Sequence, residues 1–377
     1  MATHSTASAA TGMAGQFCPP TTLNGGRWET SHVQGIAVDL TLGHVYYSFT
    51  TVLVKTDLGG VLIGTVEGFT GHLGDIELDP RDGRVYGSLE YKDACAFYIA
   101  IFEAGAIDRV GLHAANERVV QTVHLAEVTD DYGARVSVEV QDGMAVRSGR
   151  YGCSGIDGIA FGPRFGSVGG EQLLSVAYGI HSDRTRADND HQIVLQYSIG
   201  DWDSHSRSLI ESSPHRSGPH APAGKYFVRT GNTTFGVQNL EYDASSRLWL
   251  MGVYPGVKAE FPNYTLFAIE AECAPRVAVL QGLGDERGML LALADAGLRD
   301  GQTGIRGWHQ KADVGMEPLG GGLFYLAASS RAAGLETCDL TLYRWTGARD
   351  APFAEVVRSG RTAAPAAESP PLDRALA

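Results

Sequence analysis

"HVQGIAVD" at 32–39 and "HLGDIELD" at 72–79 stand about forty residues apart, each with His first, Asp last and apolar residues at matching positions between. The apolar alternation has the period of a β-strand, and two further segments align with it, "GIDGIAFG" (155–162) and "GVQNLEYD" (236–243). A turn-like stretch follows each segment, then a second strand-like run: "HVYYSFTT" (44–51), "RVYGSLEY" (84–91), "LLSVAYGI" (173–180) and "LWLMGVYPG" (248–256). The turn "DPRDGR" before one of these combines Pro, Asp and Gly in the way a hairpin needs.

Third strands are expected at "VLVKTD", "FYIAIFE", "QIVLQYSI" and "YTLFAIE". Fourth strands are expected at 61–69, 119–128, 225–231, 276–284 and 353–360. A fifth unit has a degenerate start and recovers in "GGGLFYLAAS" (320–329) and "DLTLYRW" (339–345). Repeats of about forty residues with four strands each are the signature of a β-propeller. The expected fold is all-β, a propeller of five four-stranded blades, with six as the alternative count.

A single propeller domain over 27–360 follows, with a partly ordered lead-in over 1–26 and a Pro/Ala-rich tail over 361–377 that has little to bury. The segment "CPPTTLNGG" (18–26) either adds an edge strand to the last blade or leaves the termini to abut. Two insertions stand out: 104–117 in the second unit, and 294–315 before the fifth, where a short helix is expected.

A formal charge of −13 opposes a general nucleic-acid or anionic-membrane binder, which needs a positive field. No apolar run approaches the ~18 residues of a membrane span, and the start lacks the pattern of a secretory signal, so a cytoplasmic location is expected. Five widely spaced cysteines without a CxxC suggest neither a disulfide framework nor a thiolate zinc site. Cys153, in "YGCSGIDG", is an alternative nucleophile with no activating pair visible in the sequence.

A propeller gathers the first residues of its inner strands at one channel mouth. The alignment puts His32 and His72 in one column, Gln34, Asp157 and Gln238 two positions on, and Asp75 and Asn239 next. Imidazole and carboxylate groups arranged so suit a divalent metal held by His32, His72 and Asp157. They equally suit metal-free acid–base chemistry by His32, His72 and Asp157, with the amides orienting a substrate. Loops after the second strands open on the same face and bring Lys92, Arg184, Arg186, Tyr254 and Lys258, a cationic and aromatic rim for an anionic or sugar-like ligand. "DRTRADND" lacks the Gly and terminal Glu of a calcium loop, and the Asn-Thr-Thr at 232–234 is read as loop-shaping. No P-loop, dinucleotide fingerprint, HExxH or GxSxG is present.

Across roughly 30–360 the blade pattern resembles propeller proteins, and the inner-strand acids and amides faintly resemble those of lactonase and gluconolactonase-like propellers. That resemblance implies a calcium-binding channel mouth, from which His32 and His72 depart. The five-blade count resembles the propeller glycosidases, whose trio of channel carboxylates is matched only by Asp157 and Asp75. The reading is an enzyme that hydrolyses a small polar, anionic or sugar-derived molecule, or acts on it by elimination. The alternative is a non-catalytic binding or scaffold propeller. Neither a nucleic-acid nor a membrane partner is expected, and the sequence does not fix an oligomeric state.

Overall fold

The computed structural model describes residues 18–141 and 143–357. Five sheets stand around one axis, and each begins with an inner strand followed outward by antiparallel neighbours. The inner strands of blades one to five are Val33–Asp39, His72–Asp79, Cys153–Pro163, Thr234–Asp243 and Met316–Gly320. The chain is a five-bladed β-propeller.

Five hydrophobic clusters account for the closure, one between each pair of neighbouring blades. Tyr46 and Leu53 of blade one meet Leu73 and Tyr98 of blade two. Phe97 and Ile99 meet Ile156 and Ile193 of blade three, whose opposite face sends Ala177 and Val194 against Trp249 and Phe267 of blade four. Leu250 and Ala268 then pack on Met316 and Phe324 of blade five, and Tyr325 and Leu340 return to Val33 and Ile36. Each sheet is buried on both faces, which explains why the apolar alternation blurs into near-continuous apolar runs in strands such as "AFYIAIF". Such burial, at roughly 25 cal/mol per Å² of apolar surface, holds the ring together.

The final Asp of the repeated segment belongs to this scaffold. Asp39 accepts from the backbone N–H of Thr41 and Leu42, Asp79 from Arg81, and Asp243 from Ser245 and Ser246, closing the turn between the first two strands. These are Asx-type turns, and Gly43 and Gly83 supply the left-handed residue that follows, both at φ 72°.

The strand Thr22–Trp28 pairs with Leu335–Trp345 of blade five, so the N-terminal segment closes the ring as an edge strand. Phe353–Glu355 pairs with the same strand further along. The stretch 276–284 departs from expectation: Arg276–Val279 extends blade three through Arg287–Leu291, which adds parallel to Gly224–Arg229. Blade four accordingly has three strands. The insertion 294–315 carries two short paired strands, Leu298–Arg299 and Arg306–Gly307, where a helix was expected. Its Gly297, Gly301, Gly304 and Gly307 oppose helix formation. Residues 1–17 of the expected lead-in over 1–26, the end of the strand over 353–360 and the tail over 361–377 lie outside the described residues. No described helix is long and apolar enough to cross a membrane.

Candidate functional site at the channel mouth

Bulges interrupt the pairing near the start of the inner strands of blades one to four. A bulge re-aims side chains that strict alternation would send into the sheet packing. Here it turns polar residues of four blades toward the axis, where they line a cavity of about 730 Å³. Of the residues singled out in the sequence, His32, Gln34, His72, Asp157, Gln238, Lys92 and Tyr254 line it. Glu90, Tyr91, Phe235 and Glu211 complete the wall.

Gln34 sits between the two histidines. Its amide nitrogen lies 3.1 Å from Nε2 of His32 and 3.0 Å from Nε2 of His72. One NH₂ group carries two hydrogens, so it serves both rings when each presents Nε2 as an acceptor and carries its proton on Nδ1. On the far side of the rings, Nδ1 of His32 lies 3.3 Å from the Ser31 hydroxyl, whereas Nδ1 of His72 is buried 3.5 Å from Glu90 Oε1 and makes no hydrogen bond. Burial lowers the pKa of His32, and burial together with the Lys92 ammonium and His32 holds His72 at about 4. Both rings are therefore neutral bases at neutral pH.

Glu90 ends the second strand of blade two and is nearly inaccessible. It accepts from the backbone N–H of Ile156 at 3.1 Å and pairs with Lys92 at 2.9 Å. Burial works against the Lys92 ammonium, but Glu90 and then Asp157 outweigh it and hold the charge on. Asp157 is buried with one carboxyl oxygen unpartnered, and burial, then the Glu90 and Asp75 charges, push its pKa well up. A carboxyl in that position holds its proton to higher pH than an exposed aspartate does.

The narrow bore explains the glycines in the aligned columns. A Cβ at Gly74 would collide with the Asp157 carboxylate, one at Gly35 with Asp75, and one at Gly155 with Glu90. Each inward acid requires an absent side chain in the blade beside it.

The rest of the expected set divides. Asp75 is buried below the mouth, where its carboxylate accepts from Asn239 Nδ2 at 2.9 Å and from the backbone N–H of Ile159 and Leu240. Asn239 also donates to the Gln34 carbonyl at 2.7 Å. These two residues tie blades one to four together across the axis rather than meeting a ligand.

Arg186 and Lys258 do not form a rim. Arg186 is buried, clasps Asp188 at 2.7 Å and donates to the carbonyls of Ser148 and Gly149. Lys258 is buried on Asp190, Asn189 and the Arg186 carbonyl. Both cations turn inward because carboxylates and carbonyls of the 186–190 loop and of residues 148–149 needed donors. Arg184 is exposed and does not line the cavity. Cys153 is fully buried, with burial raising its thiol pKa, so it is an inert core thiol.

Two features escaped sequence reasoning. Phe235 is a non-glycine residue at φ 66° with 58% of its surface exposed, and it stands edge-on to Tyr254 with ring centroids 6.4 Å apart. A strained, exposed aromatic at a cavity edge is a common mark of a ligand platform. The second lies deeper. Glu77, Glu241 and Glu317 each bring one oxygen within 4.8 Å of the others, and this is the one such set of three metal-ligating groups among the described residues. His32, His72 and Asp157 do not close to that distance. Both oxygens of Glu241, and one each of Glu77 and Glu317, lack a partner. Burial, then mutual repulsion among the acids, pushes the pKa of Glu77 and Glu241 well up, and burial does the same for Glu317. Three oxygen donors of this kind would suit a hard cation; otherwise they share protons.

No protein-family model matches the chain, and no curated protein does. Among solved structures, the chain is similar to the β-propeller domain of Cps50 (Swd1) from Myceliophteria thermophila, at 10% identity and a TM-score of 0.31 over 83% of this chain and 84% of that one. A protein of unknown function from Bacteroides caccae is similar at 10% identity and a TM-score of 0.30, over 70% and 86%.

Proposed function

We propose that the protein is an enzyme that acts by acid–base catalysis, as a hydrolase or lyase, on a small neutral polyhydroxylated molecule of sugar type bound at the channel mouth. The observation that carries this reading is the meeting, in one cavity, of a buried carboxyl with an unpartnered oxygen and two imidazoles bridged at Nε2 by a single amide. In a hydrolysis, Asp157 would give its proton to the leaving oxygen as that bond breaks. The Nε2 atom of His72 would take a proton from the water that attacks. Gln34 would position both imidazoles, and a substrate hydroxyl would replace its amide at one ring. In an elimination, the same imidazole would take the carbon-bound proton and Asp157 would again protonate the departing oxygen.

Neutral substrates are favoured over anions because Lys92 is already neutralised by Glu90, Arg186 and Lys258 are engaged elsewhere, and Arg184 does not line the cavity. Phe235 and Tyr254 offer the aromatic face on which a sugar ring stacks, while Gln238 and Glu90 offer polar edges. The metal scheme of His32, His72 and Asp157 is the less favoured version, since Gln34 already occupies both Nε2 atoms.

The test is saturation-transfer NMR with a panel of neutral monosaccharides, sugar lactones and aryl glycosides, followed by turnover assays on the binders. We expect binding that Phe235→Ala weakens, and turnover that Asp157→Asn abolishes without loss of binding. Binding restricted to organic anions, or turnover untouched in Asp157→Asn, would overturn the proposal. Binding without any turnover across the panel would move the protein to the non-catalytic class.

A further inference from the structure

A second cavity, of about 340 Å³, opens where the added outer strands of blade three face the 303–306 segment packed on blade four. His191, Arg229, Arg276, Gln281, Thr303 and Arg306 give it its polar lining, and no Asp or Glu lines it. On a chain of net charge −13, three guanidinium groups around a cavity without an acid are a local reversal of sign.

Two of the three guanidinium groups are unspent. Among the described residues, neither Arg229 nor Arg276 forms an ion pair, and Nε of Arg229 is buried with no acceptor. The neighbouring carboxylate of Asp190 is taken by Lys258. Arg306 pairs with Asp295, whose side chain is 81% exposed, so that pair is screened by solvent and yields readily. His191 is 2% exposed, and its Nδ1 also lacks a partner at the cavity wall. Burial and then Arg229 hold this ring neutral, with a pKa of about 4, so one of its nitrogens remains a donor and does not add a fourth charge.

Leaving a buried donor unmade costs about 1–3 kcal/mol. An anion with several acceptor oxygens satisfies Arg229 and Arg276 together, and planar guanidinium forks match phosphate oxygens two at a time. A carboxylate offers two oxygens and one charge, which leaves part of this donor set idle. The volume lies at the small end of ligand pockets, room for a phosphate with a short organic carrier. We propose that this cavity between blades three and four is a binding site for a phosphate group, with Arg229, Arg276 and Arg306 as its cationic ligands. It is separate from the channel mouth and independent of the chemistry proposed there.

Calorimetric titration of the full chain with inorganic phosphate, glycerol phosphate, glycerol and acetate, at fixed ionic strength, tests this. Saturable binding of the two phosphates is expected, with none of glycerol and weaker binding of acetate. Glycerol phosphate binding more tightly than inorganic phosphate would identify an organic carrier; equal affinities would identify free phosphate as the ligand. Arg229→Gln should weaken phosphate about tenfold, as loss of a charge-assisted hydrogen bond implies. Arg276→Gln, at an exposed position where folding is not in question, should weaken it several-fold. No saturable phosphate binding at millimolar concentration, or equal affinity in a folded Arg276→Gln/Arg306→Gln variant, would overturn the assignment.

Discussion

Replacing Glu241 by Gln should stabilise the protein at alkaline pH and not at acidic pH. Glu77, Glu241 and Glu317 stand within 4.8 Å of one another with no base beside them. Two unit charges at that distance repel by about 3 kcal/mol at an effective dielectric constant of about 20. In the folded chain their pKa values lie well above the ordinary glutamate value of 4.5. A raised folded pKa contributes stability that is complete below the unfolded value and is lost as pH rises through the folded one. The wild type should therefore weaken steadily above about pH 4.5, and a neutral amide at 241 should remove part of that loss. Urea unfolding in the presence of a chelator, at pH 5 and pH 8, measures it. The expected gain for Glu241→Gln is about 1–3 kcal/mol at pH 8, shrinking toward zero or below at pH 5. Equal destabilisation at both pH values would refute the reasoning, because it would mean that the Glu241 carboxylate has a partner whose loss outweighs the relieved repulsion.

Other outcomes follow from the mouth and its supports. The His72 ring should titrate near pH 4 and remain in the Nδ1–H form above it, which long-range ¹H–¹⁵N spectra report directly; Gln34→Ala should release that tautomer. Gly74→Ala should cost several kcal/mol or prevent folding, since its Cβ meets both Asp157 and Ser88, and thermal unfolding reads it. Lys258→Met should destabilise by about 1–3 kcal/mol, because it leaves the partly buried Asp190 without its cation, while leaving sugar binding at the channel mouth unchanged.

The repeats made four of the five inner hairpins legible because every blade must bury the same two faces, and that constraint repeats the apolar pattern. Blade five's inner strand "MEPLG" was hidden because it is short, carries a Pro and shows no alternation. The same concealment cost the third member of the carboxylate ring: Glu77 and Glu241 share a column in the aligned repeats, whereas Glu317 falls in the strand that did not align. Glu90 could have been found, since it occupies the position in "RVYGSLEY" that Thr50 holds in "HVYYSFTT", at the end of a strand facing the mouth. Arg186 and Lys258 could not. Their loop positions were right, but where a long side chain turns depends on which carbonyls and carboxylates a folded loop leaves open, and that is set by contacts distant in sequence. The sheet to which 276–284 belongs was illegible for the same reason, because a parallel addition to blade three has no local turn to announce it.

The central claim is that the channel mouth holds a neutral, hydroxyl-rich ligand between Phe235 and the Asp157–His72 pair. A crystal structure of the Asp157→Asn variant with the best-binding sugar or lactone from the NMR panel tests it most directly. Ligand density is expected on the Phe235 ring, with a ligand hydroxyl in place of the Gln34 amide at Nε2 of His32 and a water at Nε2 of His72. Ligand bound elsewhere with the Gln34 bridge intact and the mouth filled only by water would contradict it.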